Sequence, residues 1–239
     1  MIALLCALFE IFLGPELAVR RVSFRDRLTP GLAGYKSGAL PLVRVEASAY
    51  PAQGRGLLAL EDVGLFGWYA RSPLKSRTLT SDGSLAFETQ EIAWQAGARY
   101  RVVLDGQERF AASLSYGSLR SDFAGPSIAG VLLPAGTMQY WRPGVEARFP
   151  FGAVALCAGL GYLAPAKQDK IGAAFPRASS GGLEGELRAE AAFGRLVVRA
   201  AARYLRFFYS LHPLPHDPYI AGGALDEVAS VSLALGYRL

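Results

Sequence analysis

The sequence predicts an all-β fold: an up-and-down antiparallel transmembrane β-barrel of ten strands, with eight as the alternative count. Three observations carry this expectation. Period-two alternation of apolar and polar residues recurs along most of the chain. The connections between alternating runs are short and long in turn. The composition is apolar and charge-poor, 51% hydrophobic and 19% charged with a mean hydropathy of +0.23, yet no run suits a spanning helix.

Residues 123–141 and 149–166 are the long uncharged stretches. The first holds Pro126, Pro134, Gly125, Gly130 and Gly136; the second holds Pro150, Pro165, Gly152, Gly159 and Gly161. Each Pro inside a helix costs about 3 kcal/mol and each Gly about 1 kcal/mol. The apolar content excludes a disordered chain. Two cysteines, Cys6 and Cys157, are too few for a disulfide-stapled miniprotein, and their pairing cannot be read from sequence. The 239 residues read as one domain, 1–239. The opening MIALLCALFEIFL has no Lys or Arg before Arg20 and carries Glu10 within its apolar run. Residues 1–7 therefore read as the remnant of a signal or an atypical start rather than an intact signal peptide.

The strands follow in order. Residues 9–19 set Phe9, Ile11, Leu13, Leu17 and Val19 against Glu10, Gly14 and Glu16, with Pro15 suggesting a bulge. Residues 41–50 set Val43, Val45, Ala47 and Ala49 against Arg44, Glu46 and Ser48. Residues 57–69 form a noisier run with a register break at Glu61 and Asp62. The clearest is 89–104, where Ile92, Trp94, Ala96, Ala98, Tyr100, Val102 and Leu104 oppose Glu91, Gln95, Gly97, Arg99 and Arg101. A helix through the same residues would scatter Arg and Trp over every face. Residues 109–116, 140–149, 153–162, 183–193, 196–204 and 231–239 alternate in the same way.

Tight turns are expected at 104–108 (with Asp105-Gly106), 150–152 and 193–195, and a short one at 51–55. Between them lie long connections at 26–36, 71–84, 122–137, 164–182 and 211–228. Short turns at one end and long loops at the other describe an outer-membrane-type barrel with both termini on the short-turn side.

The two parities then acquire faces. Glu91, Arg99, Arg101, Arg109, Arg142, Glu146, Arg148, Glu184, Glu186, Arg188, Glu190, Arg199 and Arg203 share the parity assigned to the lumen. They read as an ion-pair network filling a narrow interior, in preference to a selectivity ring, because open aqueous channels appear only at about 16–18 strands. Trp68, Tyr69, Tyr116, Tyr140, Trp141 and Tyr162 near the long loops, with Phe149, Phe151 and Phe193 by the tight turns, read as two interfacial girdles. A soluble lipocalin-like barrel would turn the apolar parity inward. The Gly, Ala and Ser that accompany the charges favour a crowded polar interior instead.

The end of the chain, HDPYIAGGALDEVASVSLALGYRL (216–239), and its opening LFEIFLGPELAVRRVSFR (8–25) resemble bacterial outer-membrane barrel domains. These are small barrels of the OmpA/OmpX-like superfamily, found as C-terminal domains of multi-domain Gram-negative envelope proteins. Val231, Leu233, Leu235, Tyr237 and Leu239 are similar to the assembly-signal strand of such proteins, although the last residue is Leu rather than an aromatic. The resemblance implies the outer membrane of a Gram-negative bacterium. It implies as partners the barrel assembly machinery, outer-membrane lipid and lipopolysaccharide, and it implies no reaction.

Chemistry is sparse. His212 and His216, with Ser210, Asp217 and Asp226 nearby in sequence, are the only candidates for general-base work and read as surface residues of a Pro-rich loop. No catalytic residue, cofactor site or metal site is expected, and the dispersed cations argue against nucleic acid. The cations Arg71, Lys75, Arg77, Lys167, Lys170 and Arg177 are expected to face lipopolysaccharide. The expected role is a non-enzymatic barrel: a membrane anchor, structural or adhesion-type, that displays loops. The alternatives are a narrow porin-like channel and, third, a barrel hydrolase; oligomeric state stays open.

Overall fold

The computed structural model describes residues 8–29, 31–54, 56, 60–80, 83, 85–104, 107–124, 136–168 and 170–239. Cys6, the 1–7 segment and the Asp105-Gly106 turn lie outside them. The described residues form β1 (Leu8–Arg25), β2 (Tyr35–Ser37), β3 (Leu40–Tyr50), β4 (Val63–Arg71), β5 (Ser76–Thr80) and β6 (Ala86–Leu104). They continue with β7 (Gln107–Ala124), β8 (Gly136–Phe151), β9 (Val154–Gln168), α1 (Lys170–Ala174), β10 (Ser179–Phe193), β11 (Leu196–Ser210) and β12 (Gly223–Arg238).

Every neighbouring pair is antiparallel, and β12 closes onto β1, giving a ring of ten strands. Closure leaves no edge, which is what a sheet needs in a medium without water to satisfy backbone groups. The two short strands belong to the same wall. β2 pairs with β1 after a gap of two residues beyond the end of the β1–β3 ladder, and β5 does the same beyond β4 on β6. Because β2 and β5 also pair with each other, they carry the wall upward past β3 and β4. The expected connections 26–36 and 71–84 are thus partly strand.

Other boundaries differ as well. Of the run expected at 57–69, residues 57–59 lie outside the described residues, Glu61 and Asp62 lie in a turn, and the strand starts at Val63; the Gly56 amide donates to Glu61 Oε1 at 2.5 Å. Pro15 produces no bulge: pairing of β1 with β12 lapses at Gly14 and Pro15 and resumes in the same register. A Cβ at position 14 would lie 1.9 Å from the Leu233 carbonyl oxygen, so the approach of the two strands there requires glycine. The register shifts instead where β6 meets β7, with Val102 opposite Phe110 and Val103 opposite Glu108, and where β8 meets β9, between Gln139 and Tyr140. Leu8, where the described residues begin, and Leu239 both sit at the tight-turn end, where the Leu239 amide donates to the Phe9 carbonyl at 2.9 Å.

Lipid-facing residues remain exposed and apolar around the ring, among them Leu17, Leu65, Leu114, Val145, Leu160, Leu187 and Leu233. No described helix is long and apolar enough to cross a membrane; the strands supply the crossing.

Candidate functional site

The interior is the chemically distinctive part of the barrel, and it has two storeys. Towards the tight turns it is ionic. Arg142 Nε donates to Glu184 at 2.8 Å, and Glu190 accepts from Arg148 at 2.7 Å and from Arg199 at 2.8 Å. Arg188 contacts Glu146 and lies 3.4 Å from Glu186. Arg203 lies 3.2 Å from Glu16 and Arg101 lies 3.6 Å from Asp62, whereas Arg20, nearer the long loops, lies 3.4 Å from Glu91.

Two of the thirteen expected lumen residues stand apart. Arg99 forms no ion pair among the described residues and lies over the Tyr50 ring at 5.1 Å. Arg109 is half-buried at the β6–β7 bulge, also without an ion-pair partner among the described residues. The irregular register turns Glu108 inward, where it lines a small cavity of about 30 Å³ with Arg99, Arg101 and Arg148.

The network also recruits residues that the expected set omits: Glu10, Glu16, Arg20, Arg44, Glu46 and Asp226. Glu16 binds Arg44 as well as Arg203, Glu46 binds Arg44 and Arg199 at 2.5 Å each, and Glu10 binds Arg238 at 2.5 Å. Arg20 grips Asp226 with both prongs, at 2.8 and 2.5 Å. Glu10, Glu16, Arg20, Arg44 and Glu46 alternate with lipid-facing Ile11, Leu13, Leu17, Val19, Val43 and Val45, so their parity was the available signal. Asp226 lies before the expected last strand. Two glycines make room for this layer. A Cβ at Gly144 or Gly161 would fall 2.4 or 2.6 Å from the Arg142 guanidinium, which lies along the wall to reach Glu184. The space left over is a cavity of about 100 Å³, enough for a few waters.

Towards the long loops the interior turns apolar. Leu119, Met138, Tyr140, Leu163, Leu205 and Phe207 project inward from the wall. Leu32 from the first loop, Ile171 from α1 and Phe175 just after it, and Leu211 and Ala221 from the last loop descend onto them. Tyr35, Phe87 and Phe123 form a second aromatic cluster, with ring centroids 4.7 to 6.0 Å apart. The Arg20–Asp226 pair, with Glu91 and Ser121, is enclosed at this level.

The girdle expectation needs correction at two positions. Trp68 and Tyr140 point into the lumen. Trp68 lies under the guanidinium groups of Arg44 and Arg203 at 4.3 and 4.4 Å, and Tyr140 packs on Phe207 at 5.7 Å. Each is the immediate chain neighbour of an exposed aromatic, Tyr69 or Trp141, and consecutive strand residues cannot share a face. Tyr69, Trp94, Tyr116, Trp141 and Tyr162 do lie on the outside, and Trp94, Tyr116 and Trp141 stack in a row with centroids 5.9 and 5.0 Å apart. Phe149, Phe151 and Phe193 are exposed by the tight turns. Val231, Leu233, Leu235 and Tyr237 of β12, with Leu239 after it, face outward in one column.

His212 and His216 are both exposed, His212 with a positive φ of 46°. Asp226 is buried on Arg20, away from either. Asp217 instead accepts from the Leu214 amide at 2.7 Å and from Arg177, and these donors hold its carboxyl below the ordinary range. Cys157 faces the lumen and accepts from Arg148 Nη1 at 3.5 Å.

No protein-family profile matches the chain, and no curated protein sequence does. Among solved structures, the outer membrane protease OmpT from Escherichia coli is similar at TM-score 0.53 and 9% identity, covering 99% of this chain and 98% of that one. The translocator domain of the autotransporter NalP from Neisseria meningitidis is similar at 0.45 and 14%, covering 97% and 88%. The beta domain of the Bordetella autotransporter BrkA is similar at 0.40 and 13%, covering 92% and 98%. The likeness is one of fold: an all-β membrane barrel with the architecture of bacterial outer-membrane proteins.

Proposed function

We propose that this chain is a non-enzymatic integral barrel of the Gram-negative outer membrane, an anchor that displays loops while keeping its lumen shut. The observation that carries the reading is the double closure of the interior, ionic at one storey and apolar at the other, with only about 100 and 30 Å³ left open in the ionic part. A lumen filled by side chains is also the condition of the small OmpA/OmpX-type barrels that the terminal strands resemble. Outer-leaflet lipid, including lipopolysaccharide, is the partner around the wall. The assembly machinery would read the outward column of β12.

Planar-bilayer recording of the purified protein tests the closure. No stepwise conductance above the protein-free baseline is expected; discrete openings would overturn the anchor reading in favour of a narrow porin-like channel. A preliminary comparison of boiled and unboiled gel mobility, with far-UV circular dichroism, establishes the detergent-stable barrel itself.

OmpT is a protease, and that activity is not carried over. The two histidines are solvent-facing, and the buried carboxylates are held by arginines. Hydrolysis by the purified protein that disappears in His212→Ala/His216→Ala would overturn the non-enzymatic reading.

A further inference from the structure

On the outer wall, three cations stand directly above an apolar hollow. The strand register sets Arg206 (β11), Glu227 (β12), Arg21 (β1) and Lys36 (β2) side by side in one row. Arg206, Arg21 and Lys36 are exposed, and among the described residues none of the three has an ion-pair partner within 4 Å. Facing cross-strand residues have Cβ atoms about 5 Å apart, so Arg21 and Lys36 can share one phosphate. Arg206 lies two strands off, about 10 Å away. The single carboxylate in the row, Glu227, already accepts a hydrogen bond from Tyr204 Oη. Three cations and one carboxylate leave the row at +2.

The rows beneath are apolar. Gly185, Ala202 and Ala229 set the floor back from the ridges Leu160, Leu187 and Val231, opening a hollow of about 770 Å³ on the lipid-facing wall. Tyr204 stands between hollow and cations, the depth at which an amphipathic ring marks the edge of the hydrocarbon.

We infer that this face is a binding site for one anionic, acylated outer-leaflet lipid. Its phosphate rests on Arg21, Lys36 and Arg206, and an acyl chain lies in the hollow. The inference rests on the barrel being embedded in the outer membrane. A phosphorylated glycolipid of the lipid A type is the occupant the charge selects, since an uncharged headgroup would leave the cationic row without a counter-ion.

Native mass spectrometry of the full chain released from detergent, titrated with bisphosphorylated lipid A, tests it. Each cation near an anionic surface is worth about fivefold in affinity. The triple variant R21E/K36E/R206E should therefore bind at least tenfold more weakly, and dephosphorylated lipid A should bind wild type as poorly. Filling the hollow with Ala202→Leu and Ala229→Leu should weaken binding severalfold, while Arg120→Glu, on the opposite wall, should leave it unchanged. Gel mobility is read on every sample; should the triple variant not refold, Arg206→Gln alone carries the test with its fivefold loss. Uptake unaffected by charge reversal or by the filled hollow, or a dimer mass in place of the lipid-bound monomer, would overturn the site. A wild type without the mobility shift would sink the barrel reading instead.

Discussion

Along β11 the wall changes character at Tyr204. Towards the tight turns, Leu196, Val198 and Ala202 face outward while Val197, Arg199 and Arg203 face the lumen; towards the loops, Arg206, Phe208 and Ser210 lie outside while Leu205, Phe207 and Tyr209 are buried within. The chain keeps period two throughout, yet polarity on the two faces inverts. Alternation reports a strand between unlike surroundings. Which parity is inside depends on what lies outside, lipid below and water above. The lower half is a membrane barrel, and the upper half is built like a soluble one.

The two halves should therefore fail by different chemistry. Glu16→Ala is expected to be the largest effect. It strands Arg203 in the interior and leaves Arg44 with Glu46 alone, and breaking such a buried pair costs about 4 kcal/mol. Urea unfolding in lipid vesicles would read this, and Glu16→Gln should recover only part of it; a near-neutral result would mean water reaches the lumen freely. Phe207→Ala empties the apolar storey and should cost about 3 kcal/mol in the same assay. Because no charge is exposed, that loss should not respond to salt. The outer wall sharpens the contrast by a pair of substitutions. Leu233→Arg, within the lipid-facing column, should cost about 2 kcal/mol. Ser210→Arg, above the inversion, should stay within about 0.5 kcal/mol.

The smallest expected effect lies in the last loop. The Asp217 carboxyl is held below its ordinary range by the Leu214 amide and Arg177. A depressed carboxylate contributes fully above its unfolded pKa and is lost as pH falls through the folded value. Proteolytic protection of residues 211–222 should thus persist through the ordinary aspartate range and fade only on further acidification. Asp217→Asn should remove that pH dependence.

The membrane half was legible because lipid outside and charge inside write opposite demands on adjacent residues, as in Tyr100 and Arg101. The strand ends were not. Beyond the membrane, residues such as Lys36, Arg77 and Asp122 are polar on the outside and resemble loop, so β5, most of β2 and the last residues of β7 read as connections. The misplacement of Trp68 and Tyr140 has a related origin: aromatic content alone suggests an interface, although their neighbours Tyr69 and Trp141 already occupy that face. The long-range ion pairs were invisible, since Arg20 and Asp226 are 206 positions apart and only closure of the ring brings them together.

That seam bears on how the barrel assembles. Arg20, Glu16 and Glu10 on β1 find Asp226 and Arg238 on β12 and Arg203 on β11, at the far end of the chain. A nine-strand intermediate lacking β12 would hold Arg20 without Asp226 and Glu10 without Arg238 along an open cleft, where they can stay only while water does. Arrival of the final strand neutralises them together and expels the solvent in one event. Most of the ordering entropy is spent before this reward is collected, so the rate should be governed by how soon the two ends of the chain meet. An incomplete ring would be marked by its hydrated, charge-lined slit, and the finished one by having none.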